Sequence, residues 1–117
     1  MGRLTTLVLD TAHGRPGAGI RVTLDRLEGA QPLRLAEVVT NADGRCDAPL
    51  LEGAALTAGR YRLTFAAGDY FRAQRVALAD PPFVDLVTLD FGIADVTAHY
   101  HVPLLVSPWS YSTYRGS

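Results

Sequence analysis

The stretch "IRVTLDRLEG", residues 20–29, decides the fold. In it Ile20, Val22 and Leu24 alternate with Arg21, Thr23 and Asp25, so an extended chain turns the apolar three to one side and the polar three to the other. A helix would scatter both sets around its circumference. Working outward, "LRLAEVVT" (33–40) is a further strand and runs into Asn41-Ala42-Asp43-Gly44, a turn of hairpin type. "RYRLTFAA" (60–67) places Tyr61, Leu63 and Phe65 on one face, and "FVDLVTLDFGI" (83–93) sets Val84, Leu86, Thr88 and Asp90 against Phe83, Asp85, Val87, Leu89 and Phe91. Near the start, "RLTTLVLD" (3–10) puts Thr5, Leu7 and Leu9 on one face and Thr6 and Val8 on the other. Both rows contain apolar residues, which predicts that both faces are covered.

"TAHGRPGAG" reads as a loop, and "AHYHVPLLVS" (98–107) and "WSYSTYR" (109–115) complete the chain as two strands parted at Ser107-Pro108. "GDYFRAQRVA" (68–77) is the one helix, about two turns long, with Asp69 placed to cap it. Seven or eight strands with regular turn signals and no strand-helix-strand alternation predict an all-β antiparallel sandwich, one domain spanning residues 1–117.

A chain of 117 residues is long enough to remove roughly 65% of its unfolded surface from water around one core. Its formal net charge of -1 supplies no electrostatic basis for binding nucleic acid or an anionic membrane. All the basic side chains are arginines. A single cysteine, Cys46, cannot close an internal disulfide, which points to a reducing cytoplasm. The first ten residues lack a signal-peptide pattern, and no stretch approaches the roughly 18 apolar residues of a membrane span.

His99 and His101 stand one residue apart and share one side of their strand, with Tyr100 on the other. A closed zinc site needs further ligands, and Cys46 and His13 stand in no recognised spacing with the pair, so no metal is expected. For His99 the expectation is a hydrogen-bonded structural imidazole. The end of the chain is unusual: Tyr114-Arg115-Gly116-Ser117 sets an aromatic ring, a guanidinium and a hydroxyl where a terminus is ordinarily polar and frayed.

Together, "VLDTAHGRPGAG", "ADGR" and "HYHVPLLVSPWSYSTYRGS" resemble the 5-hydroxyisourate hydrolases, the transthyretin-related enzymes of urate degradation, over almost the whole chain. The resemblance implies a sandwich of two four-stranded sheets with one short helix, assembled as a homotetramer, a dimer of dimers, with active sites in a central channel lined by the first and last strands. It implies a cytoplasmic cyclic amide hydrolase that needs no metal or cofactor and opens 5-hydroxyisourate to 2-oxo-4-hydroxy-4-carboxy-5-ureidoimidazoline. The family's second catalytic histidine falls on His101, its arginine on Arg45, and its terminal tetrapeptide on Tyr114, Arg115, Gly116 and Ser117. Ser117 would join the chemistry while Tyr114, Arg115 and Gly116 bind substrate.

One position departs from the pattern. Members of the family it resembles usually read Ser-Thr-His-Val-Leu-Asp in the first strand, and here Leu7 stands in the histidine's place, where the resemblance implies that it lines the substrate channel. An imidazole that gave ordinary acid-base help is worth roughly 10² to 10⁴ in rate, or about 3 to 5 kcal/mol of barrier. The resemblance therefore leaves two readings: a weakened 5-hydroxyisourate hydrolase, or a non-enzymatic small-ligand binder in the manner of transthyretin. Leu7, Leu9, His101 and Leu105 would form an apolar patch on a lone subunit, which the closed tetramer would cover.

Overall fold

A computed structural model describes residues 1–116 of the chain. Among the described residues nine strands and one α-helix follow one another as β1 (Arg3–Asp10), β2 (Arg15–Pro16), β3 (Arg21–Arg26), β4 (Leu33–Val39), β5 (Leu51–Glu52), β6 (Gly59–Ala66), α1 (Ala67–Ala73), β7 (Leu86–Ile93), β8 (His99–Val106) and β9 (Tyr111–Thr113). One sheet runs β4-β3-β6-β7 and is antiparallel throughout. The other runs β2-β1-β8-β9, with β5 also on β1. Ile20, Val22 and Leu24 are fully buried together with Leu63 and Phe65 from one sheet and Leu4, Val8, Leu104 and Val106 from the other. Each such side chain contributes roughly 1.5 to 3 kcal/mol by leaving water.

The sheet count differs from two sets of four because the outer edge of β1 is shared. Its first residues pair with β5, its last pair with β2, and between them Leu7 bridges to Arg45. An unpaired edge leaves backbone donors and acceptors unsatisfied, and here three short segments divide that duty.

Strand direction differs too. β1 and β8 pair in parallel over eight residues, from Arg3 opposite His99 to Asp10 opposite Val106. The two lie about ninety residues apart, so no tight turn forces them antiparallel. The Thr6 hydroxyl donates to the Val102 carbonyl at 2.7 Å inside the sandwich and pins that register.

The Asn41–Gly44 turn does not join two paired strands, as its sequence suggested. It carries the chain from β4 across to the other sheet, because β4 pairs only with β3 while Gly44 and Arg45 meet β1. Asn41 Oδ1 accepts from the Asp43 and Arg45 amides at 2.9 and 3.1 Å, an Asx-type closure. Gly44 has φ 74° and lies so near the Val8 carbonyl oxygen that any Cβ would collide with it.

Asp69 is not the helix cap. The helix opens at Ala66 without a side-chain cap, and Asp69 sits inside the first turn, paired with Arg72 at 2.9 Å. The helix stops at Ala73 instead of Ala77 because Arg75 adopts φ 61°. The Arg75 and Val76 amides then donate back to the Arg72 and Phe71 carbonyls, a left-handed cap that lacks the usual glycine signal. The next strand begins only at Leu86, so Val84 is buried while Leu86 is exposed, out of phase with the alternation read from 83 to 93.

Asp10 ties these parts together. Its carboxylate is fully buried and accepts from the Ala12 and His13 amides at 3.0 Å, from His13 Nδ1 at 2.6 Å and from the Tyr70 hydroxyl at 2.7 Å. Burial pushes its pKa up, but the hydrogen bonds from Tyr70 and His13 prevail and hold the carboxyl below its ordinary range. The Tyr70 phenol, buried and donating to that carboxylate, is pushed up to about 12.

Candidate active site

The outer face of the β1–β8 pair carries the site, and the parallel register decides its content. Arg3 and Thr5 of β1 stand beside His99 and His101 of β8 on that face. The covering predicted for both faces of β1 exists on one: Thr6 and Val8 are buried in the sandwich, Thr5 and Leu7 are half-buried, and Leu9 is 36% exposed.

The divided edge of β1 delivers the guanidinium. After Gly44 the chain meets β1 at Leu7, with Gly44 O accepting from the Val8 amide at 2.8 Å, and Arg45 projects beside the histidine row. A cavity of about 530 Å³ opens there, lined by Arg3, Thr5, Arg45, Cys46, His99 and His101 among others. Arg45 forms no ion pair among the described residues, so its charge is available to whatever enters. Cys46 is half-buried and its thiol is pushed up by burial and by the nearby Asp47, which leaves it protonated and a poor nucleophile.

His101 is held on two sides. Its Nδ1 lies 2.8 Å from the Thr5 hydroxyl. Its backbone pairs with Gly116 in both directions, the Gly116 amide donating to the His101 carbonyl at 2.7 Å and the His101 amide to the Gly116 carbonyl at 3.3 Å. A Cβ on Gly116 would stand 3.1 Å from the imidazole Cδ2, so a side chain there would press on the ring. Burial and the positive charge of Arg45 both lower the imidazole's pKa below its ordinary 6.5.

His101 and Arg45 thus meet in one cavity, and Gly116 braces the first of them. Leu7 occupies the same face one pair further along, backbone-bridged to Arg45 and opposite Pro103. The other tail residues go elsewhere. Tyr114 and Arg115 line a separate groove of about 420 Å³ beside β7, where the Arg115 guanidinium sits 4.4 Å from the Tyr100 ring centroid and donates to the His99 carbonyl at 3.3 Å. Tyr100 faces the sandwich interior, opposite to His101, so in a single chain Arg115 turns away from the cavity. Ser117 lies outside the described residues. His99 is an exposed cavity residue and not a packed structural imidazole, whereas His13 belongs to the Asp10 cluster. Among the described residues no three histidine, cysteine or acidic side chains are grouped to hold a metal ion.

Thr5 and Arg3 were not singled out from sequence. The signal that would have found them is the register of β1 against β8, which no local pattern encodes.

The model of the HIUase/Transthyretin family matches residues 4–116. The chain belongs to that family. A 5-hydroxyisourate hydrolase of Ralstonia nicotianae is 64% identical over 117 residues, the whole of both chains. Among solved structures, a 5-hydroxyisourate hydrolase of Klebsiella pneumoniae superposes with TM-score 0.82 at 38% identity over the full length of both. An (S)-allantoin synthase does so with TM-score 0.95 at 47% identity, covering 99% of this chain, which spans 44% of that longer one. The family's sandwich agrees with the alternation of residues 20–29.

Proposed function

We propose that this family member is a hydrolase that opens 5-hydroxyisourate, with His101 and Arg45 as its catalytic pair. The names of its full-length relatives support the substrate, and one observation carries the site: a titratable imidazole shares a cavity with a guanidinium that has no ion pair among the described residues. The reaction needs a base for water, a cation for the oxyanion and an acid for the departing nitrogen. His101, kept neutral by burial and by Arg45, takes a proton from water. The water oxygen then bonds to the ring carbonyl carbon, the carbonyl π electrons pass to its oxygen, and Arg45 stabilises that oxyanion with forked donors. The ring C–N bond breaks and His101 returns its proton to the nitrogen.

Leu7 supplies no proton transfer, so its site depends on the β8 imidazole. Following the family resemblance, this reading gives Ser117 a part in the chemistry and Tyr114, Arg115, Gly116 and Leu7 the binding of substrate in the assembled protein. The assembly is a dimer of dimers closed over the outer β1–β8 face, and the row of half-buried Leu7 and Leu105 with exposed Leu9 supports it. A cytoplasmic location is in keeping with the unpaired Cys46, and no helix is long and apolar enough to cross a membrane among the described residues. Adding the protein to freshly generated 5-hydroxyisourate tests the reading. The expected result is absorbance decay well above the buffer rate; decay at the buffer rate overturns it.

A further inference from the structure

We propose that Thr5 is a positioning residue for hydrolysis, its hydroxyl holding His101 by Nδ1 so that Nε2 carries the proton traffic of the cavity. This rests on reading the cavity as the hydrolytic site. Thr5 stands directly opposite His101 in the parallel register, with Oγ1 2.8 Å from Nδ1. Its neighbour Thr6, bonded to the Val102 carbonyl inside the sandwich, prevents β1 from sliding along β8 and so fixes that separation. With Nδ1 engaged, Nε2 is the ring atom left for substrate and water.

A hydroxyl suits this task because its oxygen accepts from Nδ1–H and carries no charge. In the base form of His101, Nδ1–H donates to Thr5 Oγ1 and the Nε2 lone pair is free. When Nε2 takes a proton from water, the Nδ1–H bond to Thr5 persists unchanged. When Nε2 gives that proton to the departing nitrogen, the base form returns. No ring flip or proton exchange at Nδ1 interrupts the cycle. A carboxylate at position 5 would orient the ring too, but its charge would favour imidazolium and oppose the effect of burial and of Arg45. Gly116 closes against the Cδ2 edge of the ring, so hydroxyl and tail constrain it from two sides.

The test compares Thr5→Val, which keeps the shape and removes the hydroxyl, with Thr5→Ser, which keeps the hydroxyl. Ring ¹⁵N shifts of His101, kcat and KM are measured for each, with thermal melting as a folding control. Thr5→Val should lower kcat roughly 10- to 100-fold with little change in KM, and Thr5→Ser should recover most of it. In Thr5→Val the His101 shifts should move toward the tautomer mixture of a free imidazole. Unchanged shifts in Thr5→Val overturn the proposal, whether kcat is kept or lost, since a loss with unchanged shifts assigns Thr5 to packing alone. Wild-type protein that fails to open the substrate would instead overturn the functional reading, while the shift comparison still decides whether Thr5 orients the ring.

Discussion

Burial and the charge of Arg45 act on His101 in the same direction, and that agreement has a measurable sign. The folded imidazole holds its proton less tightly than an ordinary one, so the base form persists to lower pH. The acid limb of kcat/KM against pH, which reports the free protein, should therefore fall below pH 6.5, with the proton lost from His101 before neutrality is reached. An Arg45→Met variant removes the second cause and leaves the first. An NMR titration of His101 in that variant should move upward toward 6.5 without passing it; no movement would show that the guanidinium does not face the ring. At position 7 the expectation is a gain. A Leu7→His variant adds an imidazole beside Arg45 and should raise kcat by roughly 10² to 10⁴ if the family's first histidine gives ordinary acid-base help. A variant no faster than the parent would mean that this chain already obtains that help elsewhere.

At the scale of elements, two short devices bring the site together. The Asn41–Gly44 turn aims Arg45, and the returning tail braces His101. Gly116→Ala should lower activity with little loss of stability, because the new methyl meets the imidazole and not the core. Parallel melting curves and rate measurements check it, and equal losses in both would place the strain elsewhere. The Asp10 cluster predicts the reverse pattern. Asp10→Ala leaves the buried Tyr70 hydroxyl and two amides without their acceptor and should cost about 2 to 4 kcal/mol in urea unfolding. Because the folded carboxyl is held below its unfolded value, that stability is present above about pH 4 and declines as pH falls through the folded pKa. The alternation of residues 20–29 and 60–67 made these strands legible, since one face of each packs on the other sheet. The end of α1 was not legible, because Arg75 adopts a left-handed conformation that no residue type announces. Nor was the crossing of the Asn41–Gly44 turn between sheets, since its residues serve a hairpin equally well.

For the whole molecule, the sandwich leaves one face of β1 and β8 uncovered, and the cavity lies on it. Solution scattering should give a particle of about 50 kDa, four times the 12.6 kDa chain. A 12.6 kDa particle with full activity would mean that one subunit suffices and that the outer leucines need no cover. The layered architecture followed from composition and period alone. The meeting of His101, Arg45 and Gly116 did not, because it depends on a parallel pairing between strands about ninety residues apart and on a loop that changes sheets. Only the resemblance at the three motifs anticipated it. Local pattern carries the facing of side chains within a strand, whereas the neighbours of that strand are set by the global packing.

The most direct test is the decay of freshly generated 5-hydroxyisourate, followed by absorbance in the presence of the parent chain and of His101→Asn at equal concentration. The account predicts rapid opening by the parent and a loss of roughly 10² to 10⁴ in the variant, whose fold should be intact because His101 is only partly buried. A variant as fast as its parent would contradict it, and the imidazole of β8 would then have no part in the chemistry.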